Sequence, residues 1–293
     1  MLHRIHLSSI TKTLSEPFNS PGRCSILFAV AIVLCLVIFN APYIDEEKHV
    51  LSASPVIING ATNFSSNVVE STEKPFSQIY AGNLWGGGNG SGDGSTLEYT
   101  KRTRALMEMM VCKYSIGLLI DAPCGGMAWM PSVLATINQT NPNFNYIGID
   151  IVAPVIAANQ IRFQNFSNIN FFHFDVSSSP IKIKGAWQGT SAIFCRDALQ
   201  HLSMDLVVKT LRNFARSDAD FLIVGSYQQY GKNMNIKTGD VFPIDLSSPP
   251  FENLPKPLEI LDEEDMAHKH LLVYSIDELS KVNFDRILEN LPE

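Results

Sequence analysis

What the sequence lacks narrows it first. No G-x-G-x-x-G spacing occurs anywhere in its 293 residues, so no turn is built to seat a dinucleotide pyrophosphate on a helix N-terminus. Lys and Arg do not cluster and the formal net charge is −7, which argues against a partner held mainly through nucleic-acid phosphates. Cysteine is scarce, five in all. Cys24 and Cys35 fall in an apolar stretch, leaving Cys112, Cys124 and Cys195, too few and too scattered for a disulfide framework. No internal repeat is present.

What is there begins with one long uncharged run. Residues 24 to 39 carry no charge and end at Asn40-Ala41-Pro42, nearly the length a membrane span needs. The run exceeds the usual apolar core of a cleaved signal peptide, and no clear small-x-small site precedes Asn40. Residues 24–40 therefore read as a transmembrane signal anchor. Arg4, Lys12 and Arg23 precede it and Asp45, Glu46 and Glu47 follow it, so the charge bias puts residues 1–23 in the cytosol as a tail and the remainder in the ER or Golgi lumen. Sequons at Asn63, Asn89, Asn138 and Asn165 are compatible with that orientation, although chance alone yields about three such triplets in this composition. Residues 41–78 mix Ser, Thr, Asn and Pro without periodicity and read as a stem. Residues 79–293 read as the domain, and the 45 % apolar content suffices for its core.

The domain opens on a glycine-rich stretch, Trp85 to Ser95, which is either a linker or a lid over a site. A helix is expected from Thr96 to Tyr114, with Leu106, Met109 and Met110 on one face. Strands are expected at 117–121, 145–150, 170–175, 191–195, 220–226 and 270–275. Between them, helices run from Pro131 to Asn138, from Val155 to Gln164, and from a Ser203 cap to Phe214, where Leu206, Val207, Thr210, Leu211 and Phe214 form the buried stripe. The alternation predicts an α/β fold with a parallel sheet covered on both faces. After Tyr227 the chain is rich in proline and reads as loop.

Chemistry concentrates at three strand ends. Leu118-Leu119-Ile120 runs into Asp121 and then Ala122-Pro123-Cys124-Gly125-Gly126-Met127; Tyr146-Ile147-Gly148-Ile149 runs into Asp150; Phe171-Phe172-His173-Phe174 runs into Asp175. An acid at the first turn repels a pyrophosphate and welcomes an ammonium group. Asp150 is placed to accept from both hydroxyls of a ribose, and Asp175 from an adenine amino group. Ammonium, ribose and adenine together describe S-adenosylmethionine.

In these motifs the chain resembles the class I S-adenosylmethionine-dependent methyltransferases over about residues 92 to 280. Leu118–Met127 stands at the first glycine motif, Tyr146–Ile151 at the ribose acid, Phe174-Asp175-Val176 at the adenine contact and Ala192–Asp197 at the fourth strand. More narrowly, Ser91–Ser95, Asp121–Gly125, Trp129-Met130, Cys195–Leu202 and Pro249-Pro250-Phe251 resemble a group of mostly uncharacterised bacterial-type methyltransferases. The resemblance implies a Rossmann-like, doubly wound, mostly parallel seven-stranded sheet with helices on both faces. It also implies cofactor contacts at Asp121, Pro123, Cys124, Gly125, Gly126, Asp150, Ile151, Asp175, Val176 and Cys195. Arg196, Asp197 and His201 follow the fourth strand on the acceptor side: His201 as general base, Asp197 to orient it, Arg196 to hold an anionic substrate. The implied reaction is methyl transfer to an oxygen or nitrogen of a small-molecule or glycan acceptor.

Two positions depart from the pattern D-x-G-x-G-x-G: Pro123 and Met127 replace glycines, stiffening the turn and narrowing the space beside it. They leave open an alternative, a membrane-anchored binding or scaffold protein that keeps the fold with weakened turnover. Cys124 and Cys195 read as packing groups rather than nucleophiles, Trp85, Trp129 and Trp187 as packing rather than substrate platforms, and Asp262–Asp265 with His268 and His270 as a solvated loop rather than a metal site.

Overall fold

The computed structural model describes residues 56–59, 66–228, 232–263 and 268–291. The expected anchor at 24–40 and the tail before it lie outside these residues, and among the described ones no helix is long and apolar enough to cross a membrane.

The elements follow in chain order: β1 (Ile57–Asn59), α1 (Ser66–Ala81), α2 (Lys101–Lys113), β2 (Ile116–Asp121), α3 (Met130–Thr140), β3 (Asn145–Asp150), α4 (Ala153–Arg162), β4 (Ile169–His173), β5 (Lys182–Lys184), β6 (Thr190–Cys195), α5 (Met204–Ala215), β7 (Phe221–Tyr227), β8 (Glu259–Asp262), β9 (Lys269–Ser275), α6 (Ile276–Ser280) and α7 (Phe284–Glu289). Seven strands form one sheet in the order β4-β3-β2-β6-β7-β9-β8. The first five of these lie parallel, β9 runs antiparallel to β7, and β8 antiparallel to β9. The chain moves outward from β2 to β4 on one side, then crosses back to β6 on the other. That reversal opens a crevice above the C-terminal ends of β2, β3 and β6, the usual ligand position in a doubly wound sheet.

Alternation along the strands divides the core between the two faces. Leu118, Ile120, Ile147, Ile149, Ile193 and Leu222 join Val207, Leu211 and Phe214 of α5 and Ile276 and Phe284 of the last two helices. Leu119, Tyr146, Ala192, Phe194 and Ile223 pack instead with Met107 and Met110 of α2, Val133 and Ile137 of α3 and Ile156 of α4. Every residue of β2 is buried, which explains its uninterrupted apolar run. Such two-sided burial is the arrangement that the alternation of strand and helix predicts.

Several local expectations need correction. The stretch read as stem up to residue 78 contains most of α1, a helix with Pro75 inside it that periodicity did not reveal. α2 starts at Lys101, after turns over Leu97–Thr100, and buries Met107 rather than Met109. α4 runs two residues earlier than expected at both ends, with Pro154 in its first turn. β8 lies in the stretch expected to be loop; it is an edge strand whose residues alternate between half-buried and exposed, so it carries little apolar signal. The Ser203 side chain bonds Asp205 at 2.6 Å instead of capping α5, and the Met204 N–H is satisfied by Asn235 Oδ1 at 2.8 Å. A separate antiparallel pair, β1 with β5, was not anticipated.

Candidate active site

A cleft of about 1070 Å³, counting its open mouth, lies above the sheet reversal and reaches from the ends of β2 and β3 to the turn after β6.

One wall is made by the three strand-end acids. Asp121 is buried at the end of β2, and Tyr146 donates its hydroxyl to Asp121 Oδ2 at 2.7 Å. Burial pushes the Asp121 carboxyl up to about 7; the Tyr146 bond pulls it back and the charge of Asp150 adds to the rise. Asp150 holds the first turn through its side chain. Oδ2 accepts from Gly125 N at 3.0 Å and Oδ1 from Val152 N at 2.9 Å. Burial still lifts it to about 6, because the backbone donors Val152, Gly125 and Ile151 and the nearby His173 offset only part of the desolvation. Asp175 is 2 % exposed, with Oδ1 accepting from Ser177 N and Oγ at 2.8 and 2.6 Å. Its second oxygen, Oδ2, is buried without a hydrogen-bond partner. Such an orphan acceptor is costly unless a ligand donor meets it.

The turn between β2 and α3 is fixed from several directions. Gly125 has φ +53° and Met127 φ +51°, left-handed backbone that glycine adopts freely and methionine adopts under strain. Asn159 Nδ2 donates to Gly125 O at 2.8 Å, and Arg162 Nη1 to Met127 O at 3.0 Å. Met127 is 2 % exposed and its sulfur lies 3.0 Å from the Tyr146 hydroxyl. Pro123, Cys124, Gly125, Ile151 and Val176 all line the cleft, as their motif positions imply. Gly126 and Cys195 do not. The Gly126 N–H donates to Ser91 Oγ at 2.9 Å and its carbonyl accepts from Asn89 Nδ2 at 2.9 Å, while Cys195 is sealed in the core. Cys124 and Cys195 are free thiols. Burial pushes the thiols of Cys124 and Cys195 up, so both remain protonated and unreactive at neutral pH.

The facing wall comes from α1 and the glycine-rich stretch, which lies over the site rather than acting as a linker. Phe76 and Tyr80 of α1 and Trp85, Ser91 and Ser95 of the loop line the cleft. The hydroxyls of Tyr80 and Ser91 bond at 2.7 Å, so Ser91 ties the helix to the Gly126 turn. Trp85 packs edge-on against Tyr80 at 6.2 Å and lies 4.7 Å from the His201 ring. Trp85 and Trp129 therefore form part of the cavity wall, and only Trp187 serves the core alone. A linker reading missed α1 because its apolar residues follow a short Ser-Asn start and enclose a proline. The signal available in the sequence was Phe76, Tyr80 and Trp85 at spacings of four and five.

Arg196, Asp197 and His201 all reach the cleft, but not in the arrangement expected. His201 Nδ1 lies 3.0 Å from the carbonyl of Asp240; since a carbonyl only accepts, Nδ1 carries the proton and Nε2 the lone pair. Asp240, and not Asp197, therefore sets the tautomer. Burial holds the imidazole below its ordinary value, against the opposing effects of the Asp240 carbonyl and the Asp197 charge. Asp197 is taken up instead by Arg196 Nη1 at 2.7 Å and Lys269 Nζ at 2.6 Å. Burial acts to raise its carboxyl, yet these two cations hold it at about 2. Arg196 donates through Nε to Glu263 Oε1 at 2.8 Å and through Nη1 to Gly94 O at 2.9 Å. Burial works against its charge, but Asp197 and Glu263 outweigh that and raise its pKa. Lys269 Nζ also lies 3.3 Å from Glu263 Oε2. Two acids and two bases thus neutralise one another beneath the acceptor end of the cleft.

Glu263 corrects the reading of its segment as a solvated loop. Its side chain is 3 % exposed and also accepts from Thr103 at 2.8 Å, while residues 264–267 lie outside the described ones. Among the described residues no group of His, Cys, Asp and Glu is arranged to hold a metal ion.

No family model and no curated protein matches the chain. Solved structures do resemble it remotely. The N-methyltransferase NodS from Bradyrhizobium japonicum WM9 is 13 % identical, with a TM-score of 0.41 over 61 % of this chain and 96 % of its own. The magnesium protoporphyrin IX methyltransferase ChlM from Synechocystis PCC 6803, solved with bound SAM, is 11 % identical, with a TM-score of 0.43 over 72 % of this chain and 98 % of its own. PigF, solved with SAH, is 14 % identical, with a TM-score of 0.42 over 69 % of this chain and 62 % of its own. At that distance function must come from the site itself.

Proposed function

We propose that this chain binds S-adenosylmethionine and transfers its methyl group to an oxygen or nitrogen of a small-molecule or glycan acceptor. The observation that carries the proposal is the acidic wall: three buried carboxylates at successive strand ends, one of them with an orphan oxygen. A buried acceptor without a donor fits the amino group of adenine at Asp175 Oδ2. Asp150 keeps lone pairs for ribose hydroxyls beyond its backbone bonds, and an ammonium group beside Asp121 relieves a carboxyl that burial, with the charge of Asp150, lifts to about 7. A pyrophosphate in the same place meets only like charge.

When bound, this cofactor supplies an electrophilic methyl on a sulfonium sulfur. The protein's own part is positioning and proton removal. The turn after β2 and the lid from Phe76 to Ser95 enclose the site and limit water. His201 is neutral, protonated on Nδ1, and so presents Nε2 as a base to the proton of the acceptor. The lumenal placement behind a membrane anchor belongs to the proposal as well, and a mobility shift of the full chain on enzymatic deglycosylation tests it.

Calorimetry of the full chain with S-adenosylmethionine tests the core claim. Micromolar binding that weakens about tenfold or more in Asp175→Asn is expected, since an amide turned to donate no longer meets a donor. Absence of binding overturns it. A second reading, binding without turnover, has its own support in Met127, whose buried side chain fills space beside the first turn. Tight binding with no methylation of any acceptor fraction by labelled cofactor selects that reading.

A further inference from the structure

Resting on the methyltransferase proposal, we infer that the acceptor is a flat, uncharged ring bearing a hydroxyl group, recognised through a neutral oxygen that accepts from Arg196 Nη2. Three observations on the acceptor side of the cleft support this.

The first is an unpaired donor. The Arg196 side chain is 3 % exposed and lines the cleft, with Nε and Nη1 fully engaged, yet Nη2 is buried with no partner. A buried N–H of this kind is satisfied by a ligand oxygen. The second is the charge balance around it. Arg196 and Lys269 face Asp197 and Glu263 in contact pairs, so the guanidinium offers a hydrogen bond without a surplus positive charge. The carboxylates of the opposite wall add negative potential. An anionic group entering here finds no counter-charge left to pair with, and a neutral carbonyl, ether or hydroxyl oxygen loses nothing. The expectation that Arg196 holds an anionic substrate is thereby replaced.

The third is the shape and chemistry of the wall. Trp85 lies 4.7 Å from the His201 ring and Arg196 Cζ 6.0 Å from the centre of the Trp129 ring, so two aromatic rings of the cleft stand beside the acceptor-side residues. Aromatic walls favour flat apolar bodies over the hydroxyl-covered faces of a sugar. The base points the same way. A neutral imidazole removes a proton efficiently only from a group of comparable acidity. A phenolic hydroxyl, with a pKa of about 10, is within reach. An aliphatic hydroxyl, nearly as weak an acid as water at about 15.7, is not.

The experiment is a calorimetric comparison of three probes on the full chain, with and without S-adenosylmethionine: catechol, its carboxylated counterpart 3,4-dihydroxybenzoate, and methyl glucoside. The expected result is catechol binding at least tenfold tighter than either of the others. Arg196→Lys, which keeps the charge and removes Nη2, should weaken catechol about tenfold while leaving S-adenosylmethionine affinity within twofold. That substitution also perturbs the pairing with Glu263, so the three-probe comparison on the unsubstituted chain decides by itself. Equal or tighter binding of the benzoate or the glucoside, or no binding of catechol, overturns the inference. Catechol preference in a chain that does not bind S-adenosylmethionine overturns the cofactor proposal and leaves the acceptor site standing.

Discussion

The two walls of the cleft hold similar numbers of charged groups and treat them in opposite ways. On the cofactor side, Asp121, Asp150 and Asp175 are buried without a basic side chain bonded to any of them, and the first two pKa values rise to about 7 and about 6. On the acceptor side, Glu263 is 3 % exposed and Asp197 18 %, Arg196 and Lys269 hold both, and Asp197 falls to about 2. Asp121 and Asp197 differ by about five pH units because Asp197 is paired with two cations within the chain, while Asp121 is more deeply buried and has no such partner. The paired set belongs to the fold and the unpaired set to a ligand.

The largest effect that tests this contrast is on stability. Lys269→Met leaves Asp197 and Glu263 short of a buried counter-charge and is expected to cost about 3–5 kcal/mol, measured as a lowered urea midpoint. Adding Glu263→Gln should recover part of the loss. If the single substitution is neutral, the acceptor-side quartet is not what holds that wall together.

Asp121→Asn is expected to act in the reverse sense. Removing an acid that burial disfavours should raise the melting temperature of the ligand-free chain at pH 7. S-adenosylmethionine affinity should fall about tenfold to a hundredfold with the loss of a charge-assisted contact, read by calorimetry. A variant that loses both stability and affinity would put Asp121 with the structural acids.

The pH dependence follows from the same shifts. The native carboxyls of Asp121 and Asp150 lie above the ordinary aspartate value, so between about pH 4 and pH 7 the folded chain binds protons that the unfolded chain has released. Their contribution to stability is fully present below about pH 4 and is lost as the pH rises through 6 to 7. Cofactor affinity moves oppositely, rising through the same window as Asp121 ionises and levelling off above it. Denaturant midpoints and calorimetric titrations at half-unit steps from pH 5 to 8 check both signs.

The smallest effect concerns the lid. Ser91→Ala removes the acceptor for Gly126 N–H and the partner of Tyr80, worth about 1 kcal/mol. The dissociation rate of S-adenosylmethionine should rise about fivefold by stopped-flow fluorescence, with little change in the melting temperature. An unchanged rate would mean that the latch is not closed when ligand is present.

How much was legible in advance varies along the same divide. The acidic wall was readable because each of its acids ends an apolar run. Strand and ligand group are contiguous in the chain, and burial of the strands makes the runs conspicuous. The acceptor wall was not, because its partners are remote. Arg196 meets Gly94 across 102 positions and Glu263 across 67, and Glu263 sits among acids that look like any solvated loop. His201 was legible as a residue, whereas the group that orients it, the carbonyl of Asp240, is a backbone atom with no sequence signature. The cap of α5 teaches the same lesson, since Ser203 matches the local rule and Asn235 does the work from 31 positions away.

The sequence by itself therefore determined the alternating strand and helix order, the burial of β2 and β3 and the three acids at strand ends, since periodicity and strand-end chemistry act over a few neighbouring residues. Tertiary structure alone decided that α1 and the glycine stretch cover the site, that four charged side chains cancel beneath its acceptor end, and that one N–H of Arg196 is left over. Those outcomes depend on which distant groups reach one another in a low-dielectric interior, where a charge with a partner is stable and a charge without one is available for ligand.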